Sequence, residues 1–436
     1  MSFYLPPNPP MIPEAYKDVA FPRLSPTPPT MSDKCLVTLQ DTKLIAKAAV
    51  GPSAEVLDFT VTKYSSEKLG FLGSHRHLKI LVKEDHAEGS EREVNCFVKA
   101  LPLDSPLQLL YAQESRTFEK EAAFFTKISP LMTADSTGPT WCPRCYLVKD
   151  NALIFEDLGV QGFKMRDKLF DEVVIKSGLS ALASLHSSSL RAEKRMGKLF
   201  KDIFPEDLYE VAFVKSGEKR RKWFLAGVNV AIRVAEDMSL DPSKLPETFD
   251  RIFEAMETSK SKINVISHGD LWGNNLLFND EEPPECKLVD FQLFRYSPVG
   301  HDLAQFLYLC ASRELRDSRK EELLRYYWDQ LLERVGDDVE ARNVPTLEEV
   351  LQGYEEQRIA ACCTAAIYFP TVLLDGTIGA EIMDRGESYE QYYFEDRREV
   401  VMGIMKRDAV YGERIRETVR ELVEMSFKVE EFPVPC

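Results

Sequence analysis

Between positions 265 and 309 stand residues whose types and spacing suit chemistry on a phosphate. His268-Gly269-Asp270 is followed five residues after the aspartate by Asn275, and further on by Asp290-Phe291-Gln292. Each polar piece has an apolar flank: Val265 and Ile266 before the first, Leu276-Leu277-Phe278 between, Leu288-Val289 before the last. Short buried strands that present polar residues at their ends read this way. Two carboxylates and a carboxamide at strand ends suit phosphoryl transfer from a magnesium nucleotide. Asp270 would accept the proton of the attacking hydroxyl, while Asn275 and Asp290 would hold the metal. Mg²⁺ keeps much of its water and takes few hard oxygens from a protein, so the site needs little else. A chance His-x-Asp in a loop would need three spaced coincidences to look like this.

The details of the segment carry a resemblance. Protein kinases place arginine between the histidine and the aspartate; here Gly269 stands there, as in the aminoglycoside and choline kinases. HGDLWGNNLLF and VDFQLFRYSPVGHDLAQFL together resemble the ecdysteroid kinase-like family, also called CHK kinase-like. By order and spacing of motifs, the resemblance covers roughly residues 36 to 430. It implies an α+β, bilobal, protein-kinase-like fold, with an antiparallel sheet plus one helix in the small lobe and a mostly helical large lobe. It also implies ATP and Mg²⁺ as cofactors. In such a fold His268 packs under the catalytic loop and orients it. Asp302, in GHDLAQF at a helix start, resembles the aspartate that ties this loop down by backbone hydrogen bonds; helix N-termini favour carboxylates in any case.

These residues need elements to hold them, and at 436 residues the chain is long enough for two lobes. Residues 1–35 are proline-dense, so neither helix nor ladder propagates through them, and an extended arm is expected. Residues 36–157 read as a nucleotide-binding small lobe, and 158–436 as a helical lobe carrying the catalytic and acceptor groups. Leu57, Phe59 and Val61 alternate, then Leu78, Ile80 and Val82, then Val94, Cys96 and Val98, predicting three antiparallel strands. Between the first two lies Gly70-Phe71-Leu72-Gly73-Ser74, where Gly70, Gly73 and Ser74 would let a hairpin backbone approach phosphates. A plain hairpin turn reads the same way.

Lys99 ends the third strand, one strand after the glycine hairpin, where a lysine that pairs the donor phosphates is expected. In the next predicted helix Phe118, Glu121, Ala122 and Phe125 share a face and Glu119 leaves it. Glu121 is then a carboxylate among phenylalanines and needs a cation, for which Lys99 is the natural partner. A hairpin turning at Asp150-Asn151 leads to Glu156-Asp157-Leu158. By resemblance this is the hinge, where backbone groups at Glu156 and Leu158 meet the adenine.

Other features take blander readings. Cys142 and Cys145 form a CxxC with no second pair and no suitably spaced histidines, so they read as packing residues beside a strand. The nine cysteines are scattered without a framework and are expected reduced. His186 on an apolar helix stripe reads as a hydrogen-bonded core histidine, and the basic run 219–222 as a solvated helix face. Gly353-Tyr354, Tyr368-Phe369-Pro370 and Tyr392-Tyr393-Phe394 resemble the family's acceptor wall, although such stripes are commonly core.

Composition and charge narrow the partners. A formal net charge of −16 argues against nucleic acid. No apolar run approaches a membrane-spanning length and no leader-like segment opens the chain, so a cytoplasmic protein is expected. The 12 positions from Asp290 to Asp302 leave no room for the peptide platform of a protein kinase, so the acceptor is expected to be a small-molecule alcohol. By resemblance it is an ecdysteroid or a related sterol or xenobiotic. A choline- or aminoglycoside-type acceptor is the alternative, and an inactive kinase-fold binding module is a second, against which every catalytic position is filled.

Overall fold

Alternating apolar residues build a five-stranded antiparallel sheet from β1 (Glu55–Lys63), β2 (Ser74–Lys83), β3 (Glu91–Ala100), β4 (Cys145–Val148) and β5 (Ala152–Glu156). The spatial order is β1-β2-β3-β5-β4. The computed structural model describes residues 36–64, 73–83, 91–103, 105–134, 141–167, 169–384 and 386–435. Leu78 and Ile80 of β2 lie opposite Cys96 and Val94 of β3, all buried, as a period of two requires. Strand β1 departs from strict alternation. A bulge between Val56 and Asp58 shifts its register, leaving Leu57 exposed while Val56, Phe59 and Val61 pack on the sheet's core.

Strand alternation gives no hint of helix α1 (Leu39–Ala49), which covers one face of this sheet. Its start is a capping box: Thr38 Oγ1 accepts from Asp41 N–H, and the Asp41 carboxylate accepts from Thr38 N–H. Lys149 at the end of β4 donates to Asp41 and to the Leu36 carbonyl, tying helix to sheet.

After β3 come α2 (Pro106–Ser115) and α3 (Thr117–Ala123), joined at Arg116 in the left-handed region with φ of 55°. A π-helical turn over Phe124–Ile128 extends α3. The wider turn puts two consecutive phenylalanines, Phe124 and Phe125, inside, where a 3.6-residue period accounts for only one. Glu121 is buried and Glu119 exposed.

The rest is mostly helical: α4 (Glu172–Met196), α5 (Glu218–Asp237), α6 (Leu245–Ala255), α7 (Val299–Cys310), α8 (Arg313–Val335), α9 (Leu347–Val372), α10 (Arg398–Arg407) and α11 (Ala409–Ser426). Short strands interrupt it, β6 (Asn264–Ser267) pairing with β9 (Arg295–Pro298) and β7 (Leu276–Phe278) with β8 (Cys286–Leu288). The fold is α+β and bilobal in the kinase-like manner, the sheet on one side and the helices on the other. Helices α7 and α9 cross at glycines: a Cβ on Gly300 would lie 2.3 Å from the Gly353 carbonyl carbon. Gly353 therefore serves packing. Among the described residues no single helix is long and apolar enough to cross a membrane.

Candidate active site

The loop from His268 to Asn275 follows β6 and has no ladder of its own, so side chains must satisfy its backbone. Asp302, in the first turn of α7, accepts from the backbone N–H of His268 at 2.7 Å and of Gly269 at 2.9 Å. One turn on, Gln305 accepts from Leu271 N–H at 2.9 Å and donates to the Gly269 carbonyl at 3.1 Å. His186 reaches from α4 to Asp302 at 3.1 Å and to the Tyr327 hydroxyl at 2.7 Å. Burial alone would push the Asp302 carboxyl up. The bond to His186 and the neighbouring imidazoles outweigh it and hold the group well below the usual carboxylate range.

His268 is locked from both ring nitrogens. Nε2 lies 2.9 Å from the Val289 carbonyl, and Nδ1 accepts from Asp270 N–H at 3.2 Å, which sets a neutral tautomer with its proton on Nε2. Burial lowers its pKa in the same sense. Gly269 has φ of 77°, and a Cβ there would meet the Leu293 carbonyl oxygen at 2.3 Å. Only glycine takes both that turn and that contact.

Asp270 is 5 % exposed. The Asn275 amide donates to its backbone carbonyl at 2.8 Å and to Oδ2 at 3.1 Å, which leaves the Asn275 carbonyl oxygen as that side chain's free acceptor. Oδ1 of Asp270 is buried without a hydrogen-bond partner among the described residues. Burial and the nearby Asp290 charge push its pKa up to about 8, against the pull of Arg295.

Asp290 sits in the left-handed region, φ 68°, an uncommon place for a residue other than glycine and one found where function holds the backbone. Its Oδ1 is 2.7 Å from Lys99 Nζ, and Lys99 is 2.5 Å from Glu121. Glu121 accepts the N–H of Phe291 through its other oxygen at 3.2 Å. Burial would lower the Lys99 pKa, but Asp290 and Glu121 outweigh it and hold the ammonium above its ordinary range. The Phe291 ring stacks on Phe124, centroids 4.2 Å apart and planes within 4°, and also meets the His268 ring. One aromatic contact thus joins α3, the loop of Asp270 and the loop of Asp290.

Lys99, Glu121, Asp270, Asn275 and Asp290 all line one cavity of about 460 Å³, as do Gly73, Glu156 and Leu158. Ser74 is not among its lining residues; its hydroxyl accepts from Arg76 at 2.6 Å. Gly70 lies outside the described residues, so the glycine hairpin is seen only from Gly73 onward. At the hinge, Asp157 N–H is taken by the Asn95 carbonyl, and the Leu158 carbonyl accepts from Gln161 and Phe163. Cys142 is buried and Cys145 opens β4; neither is in a disulfide.

The same cavity runs on between α2, α5 and α9, where its wall is formed by Tyr111, Trp223, Ile367, Tyr368, Val372 and Tyr393. Of the aromatic groups read as a wall, Tyr368 and Tyr393 line the cavity. Phe369 instead lies under Arg414, Tyr392 donates to the Pro370 carbonyl, and Tyr354 faces Lys320. Tyr111, Trp223 and Tyr389 carry no signal in their own segments. The basic run 219–222 divides: Arg221 and Lys222 are exposed as read, whereas Arg220 is half-buried and lines the cavity. Its spacing of three from Trp223 turns both to one side of α5.

Asp290, Asn275 and the orphan oxygen of Asp270 present hard oxygen donors beside a lysine, a set that fits Mg²⁺ carried by nucleotide phosphates. The model of the ecdysteroid kinase-like family matches residues 76–337. Among curated proteins none matches the sequence. Solved structures that resemble it include an ethanolamine kinase of Plasmodium vivax, at 13 % identity and TM-score 0.41, covering 88 % of this chain and 91 % of that one. Choline kinase LicA of Streptococcus pneumoniae resembles it at 12 % identity and TM-score 0.35, with coverage of 84 % and 97 %. A macrolide 2'-phosphotransferase of Brachybacterium faecium does so at 12 % and 0.32, with coverage of 81 % and 97 %.

Proposed function

Because the chain belongs to the ecdysteroid kinase-like family, we propose that it is an ATP- and Mg²⁺-dependent phosphotransferase acting on a hydroxyl of an apolar small molecule. An ecdysteroid, or a related sterol or xenobiotic alcohol, is the acceptor class. The observation that carries this reading is the buried, unpartnered oxygen of Asp270 in one cavity with the Lys99–Glu121–Asp290 cluster. Residues 36–157 form the nucleotide lobe in this reading, and 158–436 the lobe of the catalytic and acceptor groups.

The roles follow from the contacts. Asp270 takes the proton of the acceptor hydroxyl as its oxygen bonds to the terminal phosphorus of ATP and the bond to ADP breaks. Lys99, kept charged by Glu121, orients the donor phosphates, and Gly73 lets backbone approach them. Backbone at Glu156 and Leu158 meets the adenine. Asn275 and Asp290 would hold Mg²⁺, which would supply charge neutralisation at the transferring phosphoryl group. His268 and Asp302 touch no substrate and fix the loop. Most of the acceleration then comes from positioning and electrostatics.

An apolar acceptor is favoured over a choline-like cation by the wall itself. Aromatic and aliphatic side chains dominate it, and the charge they surround, Arg220, repels cations. A screen for acceptor-dependent ADP release over sterols, other apolar alcohols, choline and aminoglycosides tests the reading. Turnover of an apolar alcohol is expected; saturable turnover of choline with none of any sterol or apolar alcohol would overturn it.

A further inference from the structure

Arg220 is a cation on an aromatic wall, with no ion-pair partner among the described residues. Nη1 donates to the Tyr111 hydroxyl at 2.7 Å, and the guanidinium lies over the Tyr111 ring, 4.9 Å from its centroid. Nη2 is buried with no hydrogen-bond partner among the described residues. Its neighbours in the basic run are paired, Lys219 with Glu390 and Lys222 with Glu218, whereas Arg220 has no such carboxylate among the described residues. Tyr389 lines the same cavity, and its hydroxyl is likewise buried without a hydrogen-bond partner among the described residues.

Buried donors in folded proteins are almost always satisfied, so two orphans in one wall mark a place where something else supplies an oxygen. An ammonium group cannot do so, and a bare hydrocarbon leaves both orphans in place. A carbonyl or carboxylate oxygen accepts from a guanidinium and from a phenol alike. We propose that Arg220, with Tyr111 and Tyr389, anchors an oxo or carboxylate oxygen on the acceptor's apolar body, apart from the hydroxyl presented to Asp270. This rests on the phosphotransferase reading above for the identity of the occupant, and it deepens the acceptor class to oxygenated apolar alcohols.

The test uses three matched polycyclic alcohols: one bare, one with an oxo group, one with a carboxylate. Calorimetric binding and ADP release are measured with the full-length wild type, Arg220→Met and Tyr389→Phe. Methionine keeps an apolar stem over Tyr111 and removes the charge; phenylalanine removes a single hydroxyl and keeps the ring. The wild type is expected to bind an oxygenated alcohol about tenfold to a hundredfold more tightly than the bare one. That ratio falls towards one in Arg220→Met and part of the way in Tyr389→Phe. Salt separates the oxygens, weakening the carboxylate form and sparing the oxo form.

Equal wild-type binding of all three alcohols, or a preference that survives both substitutions, would overturn the anchor. The two readings fail separately. Preferential binding without phosphotransfer to any alcohol removes the phosphotransferase and keeps the anchor. Turnover of all three alcohols at equal affinity does the reverse.

Discussion

Where the cavity meets β3 and the loops of Asp270 and Asp290, its wall is ionic; where it meets α2, α5 and α9, it is aromatic. The ionic wall is held from behind, each charge by a dedicated partner: Lys99 by Glu121, Glu121 by Phe291 N–H, the Asp270 loop by Asp302, and Asp302 by His186. The aromatic wall is held by packing alone at most positions. A charge displaced by an ångström loses its function, whereas an apolar surface of about the right volume can be rebuilt from other side chains. In the proposed function the ionic wall therefore constrains the reaction, and the aromatic wall leaves the acceptor free to change. Arg220 is the exception in the second wall, a charge held there by the Tyr111 hydroxyl and by no carboxylate among the described residues.

The contrast breaks most sharply at Asp270. Asp270→Asn should cut phosphotransfer by about 10²- to 10⁴-fold with nucleotide affinity retained, measured by ADP release and calorimetry. The same substitution should raise Tm by a few degrees. With its pKa pushed up to about 8, native Asp270 holds a proton that the unfolded chain releases near pH 4. Wild-type stability should thus fall as pH climbs between those values, and the amide removes that slope. Acceptor kcat/KM should rise over the upper part of the same range as the base deprotonates.

Next in size is the metal pair. Asp290→Ala should abolish Mg²⁺-dependent ATP binding more severely than Asn275→Ala, since it deletes a formal charge. Calorimetry with and without Mg²⁺ reads this, and indifference of affinity to both changes would place the metal elsewhere. Phe291→Ala, which removes the stack on Phe124, should cost about 3–5 kcal/mol in denaturant unfolding.

On the aromatic side effects should be milder. Trp223→Ala should raise the acceptor KM by about tenfold; a collapse as deep as that of Asp270→Asn would erase the distinction between the walls. Smallest of all, affinity for an uncharged apolar alcohol should be nearly the same at low and high salt, because little of its binding is electrostatic.

The ionic wall was largely legible in the chain, because its spacings are short: Asp270 to Asn275 spans five residues, and Lys99 and Glu121 lie 22 residues apart. Periodicity separated Glu121 from Glu119 because one face of α3 is apolar and the other wet. It could not see the bulge at Leu57 or the π-turn at Phe124, since each adds one residue to a repeat that assumes none. The aromatic wall was mostly illegible for a different reason. Helix α9 is buried on nearly every side around Tyr368, so no period distinguishes a cavity-lining face from a packed one. Tyr111, Arg220 and Tyr389 come from separate segments, and only the fold brings them together.

The seat of Gly269 bears on ancestry and mutational reach. Its left-handed backbone and the Leu293 carbonyl 2.3 Å from any added Cβ close this position to every other residue unless the turn behind it moves. An arginine there, as in protein kinases, is then not one codon change away in any practical sense. A lineage could cross between the two loop forms only by shifting the 293–295 segment in the same step, or by passing through an inactive intermediate. Any substitution at Gly269 would accordingly need a second change that moves the Leu293 carbonyl out of its way.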